Sequence, residues 1–579
     1  MDEVVLIAGN DNPALADHAM YAHRQDRQVV LVGAPRVGSL VKGSIELHQT
    51  ASFTAKGFLG DRAVGPGGDI VVYLESTPTE AARVLQRELA MVAKVMRPRS
   101  IVLVSTYLVH LGDDLARRAE EDAIKRFRGL GRIVVFRPGH VLSPHSHTGT
   151  QLRRLGLLYA LLPGNLQGTC VDGDQLFAAI ENESAREKVR PQRTYTLLGP
   201  NRPWHAWAGL KNPALSAIAW TGRMLATLFL LGILFKRFGP RWLSVDTLRP
   251  ASIKELLALY NPYNHRHVKI VGYNNGVVHF GHRYSGKTIV STVHCNRLAR
   301  VRGLTAQFDG GVTIRKAMTV LAAEDKELHV IPNYSYVTLG TGFFVPIHGS
   351  ASQFCTIGET INKVWLYEPD SDRVIAAVPG DEDFGRYLYN LSAEVLVWRV
   401  QVQVKERSLY SVQQEKLAGV NAEQVWNFFH DDKASNVEIR KAGSAAPEVS
   451  VYRYYVKTDN DEGALEVPRD RLGSLWDRLE ENPLTSYPFH ALTRWLAHHV
   501  ELFLSRQEFE DFWNTHGTLK IAKIQLRFIK RDGFPNSPFR AHDCVSADLF
   551  MLRRHKQAFE DYLRRTLPAV KMNPGKHSR

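Results

Sequence analysis

Short apolar runs alternate with helical patterns over the first part of the chain, and this alternation limits the possible folds more than any other feature. The apolar runs cover residues 4–8, 28–32, 70–74, 101–105 and 133–136, and helical patterns cover residues 79–96 and 114–128. Strands that alternate with helices pair in parallel, because each helix returns the chain across a face of the sheet. We therefore predict a doubly wound, Rossmann-like α/β domain.

Two segments of this domain are similar to extended short-chain dehydrogenases/reductases, namely VLVSTYLVHLGDD at 102–114 and FRPGHVLSP at 136–144. The family's glycine-rich turn is reduced to Gly9, and Leu15 would place a side chain where backbone must pack closely. The family's catalytic Tyr-x-x-x-Lys pair is replaced by Asp114 and Arg118. An aspartate cannot replace the proton-transferring phenol, so we interpret residues 1–203 as a degenerate, non-catalytic domain. A working NAD(P) reductase is the alternative.

The stretch 267–406 has a different pattern, in which β-branched runs at 268–271 and 289–293 alternate with Gly/Asn-rich turns and a helical pattern occurs at 313–323. This mixture predicts an α+β domain over residues 248–406. Three motifs follow one another: VKIVG at 268–272 with a Gly/Asn loop, DGGVTIRKAM at 309–318, and YVTLGTGFFVPIHG at 336–349. Glycine and asparagine tolerate positive φ, which lets successive backbone N–H groups point at phosphate oxygens.

In this order, the three motifs resemble the PCMH-type FAD domain of the vanillyl-alcohol-oxidase and aldonolactone-oxidase superfamily, nearest its decaprenylphosphoryl-ribose oxidase and gulonolactone oxidase branches. The resemblance implies FAD contacts at Gly272, Tyr273, Asn274, Asn275, Gly276, Gly340, Thr341, Gly342, His348 and Gly349. The histidine that tethers FAD in some members is missing from the 272–276 loop, so we expect non-covalent FAD. Another register would restore a tether at His282. For His348, a buried histidine satisfied by backbone is the alternative.

The C-terminal part is expected to form a substrate cap at 407–560, followed by a tail at 561–579. Helical patterns cover 468–481 and 489–507, and a strand pattern covers 519–528. Segment 524–538 resembles the aldonolactone-oxidase strand and turn, and the ending resembles the family's terminal motif. Period-two alternation places Gln525 and Arg527 on one face. The resemblance implies that this face looks at the flavin, with Arg527 stabilising negative charge, Gln525 orienting the substrate and Lys576 removing a proton.

An apolar stretch with basic flanks lies between the domains, within residues 204–247. Arg223 near its middle argues against a membrane-spanning helix, so an interfacial helix in contact with a membrane and a buried helix pair remain as alternatives. The formal charge of +14 suits an anionic membrane surface or a phosphorylated substrate. We find no nucleic-acid-binding motif, and the four scattered cysteines suggest neither a metal site nor disulfides.

From these features we expect an FAD-dependent oxidoreductase that oxidises the carbinol carbon of a sugar, sugar lactone or lipid-linked sugar by hydride transfer to flavin N5. No secretory signal is visible, so we expect a cytoplasmic protein, peripheral at the inner face of the membrane if residues 204–241 contact lipid. A scaffold with degenerate dinucleotide folds, and a biosynthetic flavoenzyme that reduces or cyclises its substrate, are the alternatives. The electron acceptor and the oligomeric state are left open.

Overall fold

The computed structural model describes residues 4–9, 12–41, 45–60, 67–75, 79–106, 109, 113–143, 170–186, 191–199, 247–272, 287–332, 335–350, 354–457 and 496–573. The chain divides into two compact units. The first comprises Met1–Ile270 and Ser285–Val290, and the second comprises Val271–Tyr284 and Ser291–Arg579. The expected interfacial segment 204–241, the expected helix at 468–481 and the tail from residue 574 onward lie outside the described residues.

The first unit is built on a seven-stranded parallel sheet, as the alternating pattern predicts. Its strands are β1 Val4–Ala8, β2 Gln28–Gly33, β3 Glu46–Gln49, β4 Asp69–Tyr73, β5 Ser100–Val104, β6 Arg132–Pro138 and β9 Gln192–Leu197, with β7 His140–Leu142 and β8 Cys170–Asp172 as a separate pair. The strand order is β3-β2-β1-β4-β5-β6-β9, and every neighbouring pair is parallel. The order reverses between β1 and β4, which makes this a doubly wound Rossmann-like sheet.

Helices cover both faces of this sheet and bury two separate apolar clusters against it. They are α1 Ala14–Arg24, α2 Pro35–Gly38, α3 Ala55–Gly60, α4 Glu80–Met96, α5 Asp114–Phe127, α6 Gly173–Ser184 and α7 Ile253–Leu259. The Thr79 hydroxyl caps α4, and the Asp113 carboxylate caps α5 by accepting from two backbone amides. The predicted helices at 79–96 and 114–128 are therefore confirmed within one residue at each end.

The described residues on either side of the turn after β1 pack closely and bond to one another. A methyl group on Gly9 would lie 2.8 Å from Cδ1 of the buried Leu15. At the start of α1, the Ala14 amide donates to the Asn12 side chain at 3.1 Å, and the Leu15 amide donates to the Asn12 carbonyl at 3.0 Å. These bonds use the helix N-terminal donors that a dinucleotide would need. Our interpretation of this domain as non-catalytic stays a prediction that this geometry supports.

Residues 251–267 pack against the last strand of the parallel sheet. The Asn264 side-chain oxygen accepts from the Leu198 backbone amide at 3.0 Å, and the Asn261 side-chain nitrogen donates to the Thr196 backbone carbonyl at 2.9 Å. This segment therefore belongs to the first unit, whereas the sequence pattern assigned it to a domain that begins at residue 248. A three-stranded sheet of β10 Thr247–Leu248, β12 Thr288–Ser291 and β11 Val268–Val271 is formed in the order β10-β12-β11.

The second unit contains two further sheets. The six-stranded sheet has the order β13-β14-β18-β16-β17, with β15 also paired to β18, and its described pairs are antiparallel. Its strands are β13 Ala299–Arg302, β14 Thr305–Asp309, β15 Lys326–Leu328, β16 Ile361–Glu368, β17 Arg373–Ala377 and β18 Leu396–Glu406. The helices of this region are α8 Ile314–Ala322, α9 Leu339–Phe344, α10 Ile357–Thr360 and α11 Glu382–Tyr387. The predicted α+β character is confirmed.

A seven-stranded antiparallel sheet follows, in the order β19-β21-β20-β23-β24-β22-β25. Its strands are β19 Tyr410–Ala418, β20 Asn436–Lys441, β21 Glu448–Val456, β22 Ala497–Leu504, β23 Ile521–Ile529, β24 Cys544–Leu552 and β25 Lys571–Met572. Helices α12 Ala422–Phe428, α13 Arg506–Thr515 and α14 Lys556–Thr566 accompany it.

The helix predicted at 489–507 is wrong for residues 497–504. Residues Ala497–Leu504 form strand β22, and a helix begins only at Arg506 after a capping box between Ser505 and Glu508. Val500, Leu502 and Leu504 face the apolar core, which is a period-two pattern that the leucine and aromatic spacing had hidden. No helix among the described residues is long and apolar enough to cross a membrane.

The buried carboxylate of Glu183, near the end of α6, provides a test of what stabilises the first unit. The Glu183 side chain is fully buried and accepts from Arg132 Nη2 at 2.5 Å, Arg186 Nη1 at 2.8 Å and the Tyr263 hydroxyl at 3.0 Å. Glu183→Gln removes the carboxylate charge beside Arg132, a side chain 12% exposed that also donates to the Glu183 and Arg186 carbonyls. We expect the free energy of unfolding of this unit to fall by about 3–5 kcal/mol. Hydrogen exchange at the amides of β5 measures it.

The matched control is Asp122→Asn, which removes an exposed ion pair with Lys125 on α5. Because surface pairs contribute little, the free energy of unfolding should change by no more than about 0.5 kcal/mol. Equal effects of the two substitutions would contradict a structural role for the buried network.

Candidate active site

Gly272, at the end of β11, packs against the start of α9. A Cβ at this position would lie 2.6 Å from the Thr338 hydroxyl and 2.8 Å from the Thr341 hydroxyl. The Ser291 hydroxyl donates to the Gly272 carbonyl at 2.6 Å. The structure thus brings together Gly272 and Thr341, two of the residues predicted to contact FAD. Tyr273, Asn274, Asn275, Gly276 and His282 lie outside the described residues.

Gly340 and Gly342 are needed for close packing of backbone segments. A Cβ at Gly340 would lie 2.8 Å from the carbonyl oxygen of Gly310 in the DGG motif, and one at Gly342 would lie 2.8 Å from Ile357. The Gly340 amide donates to Gly310 at 2.9 Å, and the Gly342 amide donates to the Thr338 carbonyl at 3.1 Å. The amides expected to point at phosphate therefore bond to protein. Their glycines bring α9 against the DGG motif.

The seven-stranded antiparallel sheet has two faces of opposite character, and both are largely buried. On one face, alternate residues of β20, β22, β23 and β24 pack with α12, α13 and α14 into a single apolar cluster. The other face carries polar side chains in register across the same four strands. Glu438 lies opposite Arg527, which lies opposite Ser546. In the next row are Arg440, Gln525, Asp548 and Glu501.

The prediction that Gln525 and Arg527 share one strand face is confirmed by this register. The Gln525 amide nitrogen donates to the Glu438 carboxylate, which also accepts from Arg440 Nε at 2.6 Å. Arg527 is only 7% exposed. Within the described part of the chain it has no carboxylate partner, and its Nη2 has no hydrogen-bond partner. An unpaired donor on a buried guanidinium is costly, and Arg527 Nη2 is therefore available to an anionic or electron-rich ligand on this face.

The His348 side chain reaches the same face from the loop after α9. Its Nε2 lies 2.6 Å from Glu501 Oε1, and its Nδ1 lies 3.2 Å from the Gly349 carbonyl. The alternative interpretation, a buried histidine satisfied by backbone, accounts only for the Nδ1 contact. The Nε2 atom contacts a carboxylate, which is the stronger partner. The Ser546 hydroxyl donates to the same Glu501 oxygen at 2.6 Å.

Cys355 bonds to the loop that carries His348 and to the residue that follows β23. Its carbonyl accepts from the Gly349 amide at 3.0 Å, and its sulfur accepts from the Lys530 amide at 3.2 Å. Burial raises the pKa of the Cys355 thiol to about 12, so it remains protonated at neutral pH. Cys355 is therefore a packing group for the loop and not a nucleophile.

The C-terminal tail returns to the polar face as far as it is described. Strand β25 pairs with β22 at Leu502 and Phe503, and the Asn573 amide donates to the Glu501 carbonyl at 2.9 Å. Lys576 lies three residues further on, outside the described residues, and its role stays a prediction.

Sequence reasoning missed Glu438, Glu501 and the His499–Asp548 pair, whose nitrogen and oxygen lie 2.5 Å apart. Glu501 and His499 fall in the segment that was interpreted as a helix. Its period-two alternation of apolar residues was the signal that could have found them. Glu438 was missed although Val437 and Ile439 alternate with it in the same way, because strand β20 was not predicted.

Comparisons with known proteins give only distant likenesses. No family model matches the chain, and no curated protein matches it. Among solved structures, cholesterol oxidase from Brevibacterium sterolicum aligns with a TM-score of 0.41 and 12% identity, over 57% of this chain and 82% of that one. Wild-type Phl p 4.0202, a glucose dehydrogenase, aligns with a TM-score of 0.42 and 11% identity, over 61% and 84%. Likenesses of this size decide neither family nor activity.

The unpartnered guanidinium predicts a gain in stability when it is removed from the ligand-free protein. Arg527→Met keeps the side-chain length and removes the buried charge. We expect the free energy of unfolding to rise by about 1–4 kcal/mol in the absence of FAD, because desolvation of the charge no longer opposes folding. Chemical denaturation measures the change. The exposed Arg531→Met serves as control and should change it by no more than about 0.5 kcal/mol. A loss of stability in Arg527→Met alone would show that the guanidinium is already compensated.

Proposed function

We propose that this chain is an FAD-dependent oxidoreductase that oxidises the carbinol carbon of a sugar, sugar lactone or lipid-linked sugar. The observation that carries the proposal is the buried Arg527, whose Nη2 has no hydrogen-bond partner among the described residues, on a polar sheet face that also bears Gln525. Such a cation favours negative charge on a ligand in a dry site. The proposal includes membership of the PCMH-type superfamily, which rests on the three motifs and the C-terminal segments.

FAD fits the residues present in two respects. Gly272 forms a close approach with Thr338 and Thr341 that any side chain at position 272 would fill. The unpartnered guanidinium of Arg527 offers a charge to an electron-rich ring. We propose that residues 272–276, Thr341, His348 and Gly349 hold the cofactor non-covalently. When bound, FAD would supply the hydride acceptor for alcohol oxidation.

The polar face suggests a division of roles among its side chains. The Gln525 amide nitrogen is committed to Glu438, which leaves its carbonyl oxygen as the group that can accept a bond from a substrate hydroxyl. Gln525 would thus orient the alcohol and not abstract its proton. Lys576, carried by the tail that follows Asn573, is the proposed proton acceptor. Arg527 would stabilise the negative charge that develops opposite the substrate.

The location and substrate proposals rest on charge. A net charge of +14 attracts phosphorylated or membrane-bound substrates. We propose a cytoplasmic enzyme whose residues 204–241 contact the inner face of the membrane, where a lipid-linked sugar would be found. Nucleic acid is not among the proposed partners.

A visible absorption spectrum tests the cofactor. The purified protein, as isolated or after incubation with FAD and gel filtration, should show flavin absorbance in a near-equimolar amount. Arg527→Met should weaken FAD binding by roughly 10- to 100-fold, because a hydrogen bond from a charged donor is lost. The absence of flavin absorbance after incubation would contradict the oxidoreductase proposal and favour the alternative, a scaffold with degenerate dinucleotide folds. Denaturation that releases FAD into solution would show that the flavin is not tethered.

Anaerobic bleaching of the flavin tests the proton acceptor. With gulonolactone and a panel of aldoses as probe substrates, Lys576→Ala should slow flavin reduction by roughly 10²–10⁴-fold, because general-base assistance is lost. The matched control is Lys571→Ala, an exposed lysine on β25 that bonds to the Pro538 carbonyl. An unchanged rate of flavin reduction in Lys576→Ala would show that this lysine is not the proton acceptor.

A further inference from the structure

Glu501 joins three segments of the second unit that are distant in sequence. It lies on β22 and is 1% exposed. Its Oε1 accepts from His348 of the loop after α9 and from Ser546 on β24, both at 2.6 Å. Its Oε2 accepts from the Asn573 side chain in the tail at 2.5 Å. One buried carboxylate thus binds a loop, a neighbouring strand and the C-terminal tail.

The bonds to Glu501 differ from ordinary sheet contacts. Ser546 is already held next to Glu501 by the β22–β24 pairing. His348 and Asn573 are not on these central strands, so their side chains are fixed to the sheet by the carboxylate. Because a carboxylate is an acceptor only and both of its oxygens are in use, the three donors share one charged group. Loss of any donor changes the environment of the others.

We propose that Glu501 is a positioning residue that sets the His348 loop and the C-terminal tail as a single arrangement. The purpose of this arrangement rests on the proposed function, in which His348 of the loop contacts the flavin and Lys576 of the tail acts on the substrate. The coupling itself requires only the bonds just described. It therefore exists in the protein without FAD.

The same strand pair offers a matched control. His499 on β22 and Asp548 on β24 also form a histidine–carboxylate bond, at 2.5 Å. Both residues are in the sheet, and their mutual bond joins β22 to β24. Removal of the Asp548 charge should therefore leave loop and tail undisturbed.

Hydrogen exchange in the full-length protein without FAD tests the coupling. In Glu501→Gln, the amides of Gly349 and Asn573 should both exchange roughly 10- to 100-fold faster, as expected for loss of charged hydrogen bonds. Amides of β20 and β23 should keep their rates, which shows that the sheet is intact. Asp548→Asn should leave Gly349 and Asn573 unchanged. Unchanged rates at both amides in Glu501→Gln would overturn the proposal.

A second pair of variants tests the coupling independently if Glu501→Gln unfolds the sheet. His348→Gln should accelerate exchange at Asn573, and Asn573→Ala should accelerate exchange at Gly349, because each affects the other through Glu501. If each variant affects only its own segment, loop and tail are independent and the proposal is wrong.

Addition of FAD separates this inference from the proposed function. In the natural sequence, FAD should slow exchange at both Gly349 and Asn573, and in Glu501→Gln it should slow exchange at Gly349 only. The visible spectrum of bound FAD should shift in the same way in Glu501→Gln and His348→Gln, which a merely structural role would not require. If FAD has no effect on any variant while the ligand-free coupling is present, the positioning role stands and the flavin function fails. Protection of both amides in Glu501→Gln would contradict the coupling.

Discussion

One face of the seven-stranded sheet is buried although it carries charged side chains, and the candidate site depends on this burial. The opposite face supplies the hydrophobic driving force, because Ile439, Leu526, Leu549 and Leu502 pack with three helices. The strands are therefore held in register by apolar contacts. Period-two alternation then obliges Glu438, Arg527, Ser546 and Glu501 to share the other face.

Carboxylates organise this polar face by satisfying their neighbours. Glu438 binds Gln525 and Arg440, and Glu501 binds His348, Ser546 and Asn573. Buried polar networks are stable only when their members are paired, since an unpaired group in a low dielectric is costly. Arg527 Nη2 and Asn436 Oδ1 are exceptions among the described residues, and a retained cost of this kind is common where a ligand completes the site.

The first unit has the topology of a dinucleotide-binding sheet without the open turn that such ligands use. Leu15 lies over Gly9, and Asn12 bonds to the amides at the start of α1. Asp69 and Glu183 each form ion pairs with two arginines and so link neighbouring elements of this unit. Fold and ligand binding are separable, because the sheet is set by buried strands whereas the site is set by a few loop residues.

The sequence by itself determined the parallel sheet, the two strands that precede the DGG motif and the common face of Gln525 and Arg527. These features follow from local periodicity, which acts over a few residues. Periodicity failed at β22, where helical spacing of leucine and aromatic residues concealed an alternating strand, and Glu501 was missed with it. Only the tertiary structure decided that Glu501 meets His348 and Asn573, and that the Gly340 and Gly342 amides bond to protein. Glu501 lies 153 positions from His348 and 72 positions from Asn573, and contacts over such separations are made by sheet order and loop path, which no local pattern encodes.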